Sequence, residues 1–379
     1  MPDGTLLAER IAPLETLARI KPLLEEAGVT RLADITGMDR IGIPVYASIR
    51  PDSKCLAVDS GKGTTKEQAK CSAAMEAIER WAHDEYVLKS VRSPMVESHG
   101  TYKFPMVQGA VFNPDSMHRW VNAAMWRDDG YREVPYYHVM NYEKKLSLYE
   151  MCWQSGTNGL AAGNTREEAI LHGLYEIVER DAVTIWMQEG GNRIDEQTVT
   201  DPVSLDLLNM CFGAGVEACI YNVTSDIDIP AFICIMVDAK ADIGIYKGYR
   251  CNFDCDLALQ GAICEAAQAR AVFLSGARDD RRWSQHVFEA QPISNKQRLD
   301  ELATETKIPM PHIDYTDMAL SDADKISLID ERLTNHGCGP VLVVDIMARA
   351  EAYVVKVMSE GLEGYWNRYL QLGERASRG

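Results

Sequence analysis

Three separated stretches of the chain carry carboxylates on one face of a helical pattern, and this restricts the fold more than any other feature. Ser72, Glu76 and Glu79 fall at steps of four and three within a pattern from about Lys66 to Tyr86, just after Gly61-Lys62-Gly63. Residues so spaced project from the same side of an α-helix. Glu168, His172, Glu176 and Glu179 repeat the stripe at steps of four, four and three, and Glu265 and Gln268 sit one turn apart between Ala258 and Ser275. A single stripe of this kind is an ordinary solvated helix face. A surface row is usually interleaved with lysine, however, and none lies between Arg166 and Arg180. Buried carboxylates are costly unless cations compensate them. The chain is therefore expected to gather three helices around one charged ligand.

Carboxylates brought together repel one another and hold their protons unless a metal neutralises them. Magnesium suits such a site, because it takes oxygen ligands and is commonly shared between carboxylates and substrate phosphates. Lys62 and the arginines that follow the acids supply charge-assisted donors for a polyphosphate. Together these features suggest a nucleoside triphosphate site. Gly61-Lys62-Gly63 is not the Gly-x-x-x-x-Gly-Lys-Ser/Thr phosphate loop, and no Gly-x-Gly-x-x-Gly is present. No Ser-His-Asp or Cys-His spacing identifies a covalent mechanism, so no catalytic residue is assigned. Thr165 with Glu168 three residues on reads as a capping box, which gives Glu168 a structural role beside a ligating one.

With 379 residues, 46% of them hydrophobic, the chain can bury a substantial core. Its formal charge of −17 argues against a broad electrostatic grip on nucleic acid or an anionic membrane. The ten cysteines show no paired metal-site spacing and suggest reduced thiols. The N-terminus lacks signal-peptide character, and no segment has the run of about 20 apolar residues that a membrane helix needs. A cytoplasmic protein is expected.

The pattern predicts a helical segment over residues 1–29, followed by a single large domain over 30–379. The N-terminal amphipathic helix could serve a homodimer. A strand from Leu56 to Ser60 is expected to end at a Gly61-Lys62-Gly63 turn, and Ala161 to Asn164 reads as another turn. Ala218–Asn222, Ala231–Asp238, Val341–Asp345 and Tyr353–Val357 read as strands. Residues 93–150 mix prolines and aromatics, which suits either core or a substrate-facing rim. Arg278 is a further candidate for a phosphate contact, and the tail from Glu374 to Gly379 is expected to be disordered. These elements predict an α+β fold of mixed sheets with packed helices.

Lys62 with Ser72 ten positions later, Ser72-x-x-x-Glu76-x-x-Glu79-Arg80, Asn164-Thr-Arg-Glu-Glu168, Glu176-x-x-Glu179-Arg180-Asp181 and Glu265-x-x-Gln268-x-Arg270 together resemble the ATP-binding signature of YcaO proteins. The resemblance runs from about Thr30, through Asp39-Arg40-Ile41-Gly42-Ile43-Pro44-Val45, to about Gly364. It implies the YcaO-type ATP-binding fold and ATP-dependent activation of a backbone amide in a precursor peptide or protein. In that family a nucleophile adds to the carbonyl carbon, the amide oxygen is phosphorylated, and phosphate leaves. A Cys, Ser or Thr side chain gives an azoline, sulfide a thioamide, and an amine an amidine. By matching position, Glu76, Glu79, Glu168, Glu176, Glu179 and Glu265 would hold magnesium. Lys62, Ser72, Arg80, Asn164, Arg180, Gln268 and Arg270 would contact ATP. The segment from Gly28 to Pro44 looks most like stand-alone members that work with a TfuA partner in thioamidation. Many azoline-forming members end in a proline-rich C-terminus that serves catalysis. This chain ends Arg375-Ala-Ser-Arg-Gly379, which weighs against the cyclodehydratase reading. A reading of another class is a non-catalytic ATP-binding scaffold for a partner enzyme.

Overall fold

The computed structural model describes residues 11–377 apart from 55, 87, 94–105, 111–112, 114, 141–151, 154, 242–243, 278–293, 312–318 and 365–371. Helix α1 (Pro13–Glu26) leads into strands β1 (Arg31–Asp34), β2 (Val45–Ile49) and β3 (Val58–Lys62), an antiparallel sheet in that order. Helix α2 (Lys66–Glu85) is followed by β4 (Val91–Ser93), β5 (His118–Met125), β6 (Tyr131–Pro135), the short α3 (Tyr136–Val139) and β7 (Leu160–Gly163). Next come α4 (Arg166–Glu189), β8 (Asn192–Ile194), α5 (Pro202–Gly213), β9 (Val216–Asn222), β10 (Ala231–Asp238), β11 (Ile245–Cys251) and α6 (Cys255–Ser275). Helix α7 (Asn295–Ala303), β12 (Lys307–Ile308), α8 (Asp322–Asn335), β13 (Leu342–Ala348) and β14 (Tyr353–Met358) complete the described elements.

One sheet runs β11-β10-β9-β8-β12, with only β12 and β8 parallel, and the other runs β4-β5-β13-β14-β7, with β6 also paired to β5. Alternation along the strands divides the core into layers. Ile233, Ile235 and Val237 of β10 and Val355 and Val357 of β14 face a central layer that holds α4 and α8. Phe232, Cys234 and Met236 face α5 and α6 on one outside, whereas Val354, Met358 and Leu342 face α1 and α2 on the other. The result is an α+β fold in which α4 lies between two sheets, while α2 and α6 flank the small sheet that ends in β3.

The predicted helices at 66–86 and 258–275 match α2 and α6 closely, the stripe that begins at the Thr165 capping box matches α4, and the four predicted strands match β9, β10, β13 and β14. The glycine stretches depart from expectation. Gly61 and Lys62 belong to β3, and Ala161 to Gly163 belong to β7, so both expected turns are strand ends. A Cβ on Gly61 would lie 1.9 Å from the Ala73 nitrogen, and one on Gly163 would lie 2.4 Å from the Ala169 nitrogen. These glycines let a helix backbone press against a strand; turning is not their job here. Gly248 does the same for α6, its Cβ falling 2.2 Å from Ala262 O and Ala266 N.

The tail also departs from expectation. Arg375 is buried, donating from Nε to Asp181 Oδ1 at 2.9 Å and from Nη2 to Asp181 Oδ2 at 2.8 Å, and it also engages Asp226. Asp181 is completely buried on α4, and a carboxylate there demands a cation. Residues 1–10 of the predicted N-terminal segment lie outside the described residues. In α1, Ile20 and Leu23 pack into the core beside α2, whereas Leu14 stays exposed. No described helix is long and apolar enough to cross a membrane.

Candidate functional site

Each of three strands, β3, β7 and β11, is followed by a helix that begins on a capping side chain. Thr65 accepts from Gln68 N at 3.3 Å, Thr165 accepts from Glu168 N at 3.1 Å, and Asp254 accepts from Leu257 N at 3.1 Å. The first acid facing the cavity, Glu76, Glu176 or Glu265, stands eleven positions past the cap in every case, and Glu79, Glu179 or Gln268 stands fourteen past it. A common start and a common count place the acids at the same height and on the same face of three helices. This shared offset was present in the sequence, but it becomes recognisable only once the three caps are known.

The three faces line one cavity of about 970 Å³, to which Lys62, Ser72, Glu76, Glu79, Arg80, Glu176, Glu179, Arg180, Glu265 and Gln268 contribute. Its size suits a small-molecule ligand. Lys62 Nζ lies 2.5 Å from Glu265 Oε2, linking β3 to α6, and Gln268 Nε2 donates to Ser60 Oγ at 2.9 Å. Arg80 Nε lies 3.1 Å from Glu76 Oε1, while Arg180 keeps looser pairs at 3.7 Å to Glu176 and 3.6 Å to Glu179. Strand β3 is thus the partition between α2 and α6, sending Ser60 and Lys62 to one and Asp59 and Gly61 to the other.

Three predicted site residues are not among those lining this cavity. Glu168 Oε2 accepts from Asn164 N at 2.9 Å, as a cap does. Asn164 Oδ1 accepts from Thr16 Oγ1 at 3.1 Å, and its carbonyl accepts from Arg19 Nη2 at 2.7 Å, fastening α1 to the start of α4. Arg270 is fully buried, with Nε 2.9 Å from Asp39 Oδ2 and Nη2 2.9 Å from Asp238 Oδ2. Arg40 completes that cluster at 2.6 Å from Asp238 Oδ1. Asp39-Arg40 and Arg270 therefore hold α6 to the end of β10. Arg278 lies outside the described residues.

Burial and mutual repulsion govern the acids. Burial pushes the Glu179 carboxyl up to about 7, with Glu265 and Glu176 adding to the effect and Arg180 and Arg250 opposing it. Glu79 is raised by burial and by Glu76 and Glu176, and Glu176 is raised by burial, against the pull of Arg180. Burial would raise Glu265 too, but Lys62 and then Arg180 outweigh it and hold the group below its ordinary value. The completely buried Lys356 of β14 is lowered to about 8 by burial, while Glu176 and Glu79 pull it the other way. Its Nζ donates to Gly156 O at 2.6 Å.

Lys356 escaped the sequence reading because it interrupts an otherwise apolar strand run, and Arg250 because its strand mixes polar and apolar residues. His172, on the α4 stripe, also lines the cavity, 3.3 Å from Arg250 Nη1. Among the described residues no three His, Cys, Asp or Glu side chains already form a metal site. The donor set fits a hard cation nonetheless, since it consists of carboxylate oxygens on three elements beside lysine and arginine donors suited to a phosphate chain.

An acid-lined, cation-guarded cavity on three capped helices, set in mixed sheets, defines a binding fold for a metal and a polyanion. The chain belongs to the YcaO family: residues 60–363 match the family described as YcaO cyclodehydratase, ATP- and Mg²⁺-binding. Its relatives include a protein of Rhizobium leguminosarum bv. trifolii described as lying in the tfuA 3′ region, 30% identical over 97% of this chain and 91% of its own length. The fold matches the YcaO structure from Methanopyrus kandleri bound with AMPPCP and Mg²⁺, with a TM-score of 0.73 and 23% identity over 96% of this chain and 94% of that one. It also matches a heterocyclase in complex with substrate and cofactor, with a TM-score of 0.78 and 20% identity over 99% of this chain. The present chain spans 56% of that heterocyclase's length.

Proposed function

We propose that this protein activates a backbone amide of a precursor peptide or protein, using ATP and magnesium, and that the product is a thioamide. The observation that carries the reading is the convergence of three equally capped helices, each with its acid at the same offset, on one cavity guarded by Lys62, Arg80 and Arg180. Bound Mg-ATP would supply an electrophilic phosphoryl group that carries the amide oxygen away as phosphate. Glu76, Glu79, Glu176, Glu179 and Glu265 would hold magnesium, and Lys62, Ser72, Arg80, Arg180 and Gln268 would bind and orient the nucleotide. Glu168, Asn164 and Arg270 would support these groups from behind, in their capping and ion-paired roles.

The thioamide outcome rests on the family relative from a tfuA region, which points to a TfuA-like delivery partner. Sulfide adding to the carbonyl carbon, with loss of the oxygen as phosphate, balances as one thioamide, ADP and phosphate per ATP. Cyclisation by a neighbouring Cys, Ser or Thr would instead give an azoline, as the family's cyclodehydratase description suggests. A cytoplasmic site of action goes with the need for ATP. The test incubates the protein with ATP, magnesium, sulfide, a precursor peptide and a TfuA-like partner, then weighs the peptide. A gain equal to sulfur minus oxygen supports thioamidation, and loss of one water reassigns the chain to azoline formation. ATP binding with no peptide change in the complete mixture would favour the scaffold reading.

A further inference from the structure

Asp59 occupies a place where a carboxylate is expensive. It is 4% exposed on β3, and burial together with Glu76 pushes it up to about 7, against the pull of Arg80 and Arg50. Its Oδ1 lies 2.8 Å from Arg80 Nε, the same nitrogen that Glu76 approaches, whereas its Oδ2 is buried with no hydrogen-bond partner. Ser48, directly opposite in the β2–β3 register, has a buried, unpartnered Oγ, and Arg50 Nε is in the same condition. Arg50 is itself anchored by Nη2 at 2.9 Å from Asp84 at the end of α2. Packing alone would favour an apolar residue here, because a partly satisfied buried carboxylate destabilises the core.

The arginine of the second unit is held differently. The residue one hundred positions after Asp59 is Gly159, and Arg180 rests against the Tyr249 ring, 5.8 Å from its centroid, besides its longer pairs with Glu176 and Glu179. We propose that Asp59 is a positioning residue, its carboxylate ion-paired with the Arg80 guanidinium at Nε beside the hydrogen bond that Nε donates to Glu76, so that the terminal nitrogens are held toward phosphate oxygens in the cavity. The inference rests on the Mg-ATP reading of the cavity.

The test is a double-mutant cycle read by calorimetric binding of a non-hydrolysable ATP analogue with magnesium, with melting temperature measured on every variant. Asp59→Ala should weaken binding by about tenfold, comparable to Arg80→Ala, and the double variant should bind no worse than Arg80→Ala alone. Combining Asp59→Ala with Arg180→Ala should instead give additive losses. Asp59→Asn, which keeps the shape and removes the buried charge, should weaken binding while its melting temperature holds or rises. Additive losses for Asp59 and Arg80, or unchanged affinity in Asp59→Ala, would overturn the proposal while leaving the cavity reading intact. A wild-type protein that fails to bind the analogue at all would sink both.

Discussion

The β3–α2 and β7–α4 units follow one plan a hundred residues apart, yet the two helices meet different surroundings. Thr65 and Thr165, Glu76 and Glu176, Glu79 and Glu179, and Arg80 and Arg180 correspond in sequence and in place. Around α2 stand charged partners, namely Asp59 and the Arg50–Asp84 pair, while Lys62 of the same strand pairs with Glu265 of α6. The positions corresponding to Lys62 and Asp59 are Ala162 and Gly159 in the second unit, and α4 is enclosed by sheets on both sides. Where Trp81 packs into the core after Arg80, the chain has Asp181 after Arg180, and Asp181 is neutralised by Arg375 from the far end of the chain. The same motif can thus build a peripheral wall with charged partners close by in the chain and a central post whose buried Asp181 is answered from the far end of the chain.

The largest expected effect lies in that central post. Arg375→Ala leaves Asp181 as an uncompensated buried charge and should cost about 3–5 kcal/mol of stability, seen in denaturant unfolding. A loss below about 1 kcal/mol would mean that the two units need no different support.

Next come the acids. Glu179→Gln, which removes a carboxylate proposed to hold magnesium, should weaken Mg-ATP binding by roughly a hundredfold, about 2.7 kcal/mol. It should leave the ligand-free protein as stable as before, or more so, above pH 7. Because the folded Glu179 keeps its proton up to about 7 while an unfolded glutamate releases it near 4.5, the folded state binds more protons between those values. Ligand-free stability should therefore fall as pH rises across that window, and magnesium binding should release protons. A melting temperature that varies with pH equally in wild type and Glu179→Gln would remove Glu179 as the cause.

Smaller effects test the shared plan. Gly61→Ala and Gly163→Ala should each destabilise by about 1–3 kcal/mol through overpacking of helix on strand, with Gly61→Ala the worse because its new methyl meets backbone at 1.9 Å. Thr65→Ala and Thr165→Ala should each cost about 1 kcal/mol by thermal unfolding, the size of a lost cap. Unequal cap losses would show that the two helices begin differently in energy despite their matching geometry.

Much of the site was legible because helix periodicity is local: a step of three or four sets the face whatever the surroundings. The acids of α2, α4 and α6 were readable for that reason, as were strands β10 and β14 from their apolar runs. The glycines were misread because turn chemistry and close helix approach favour the same residue, and only the backbone at Ala73 or Ala169 tells them apart. Arg270 and Asn164 were placed with the ligand-binding groups by the positions they match in the family resemblance. The structure instead gives Arg270 to Asp39 and Asp238, and Asn164 to Thr16, partners far away in sequence.

The sequence by itself determined which residues share a helix face, the excess of acid over nearby cation on the α4 stripe, and the resemblance to a family that the comparison bears out. The tertiary structure decided which of those faces meet, that β3 stands between α2 and α6, and that Asp59 pairs with Arg80 while Arg375 answers Asp181. The physical reason is that a charge in the interior depends on partners brought by other elements. The cost of burying a carboxylate is local, but the cation that offsets it can come from anywhere in the chain.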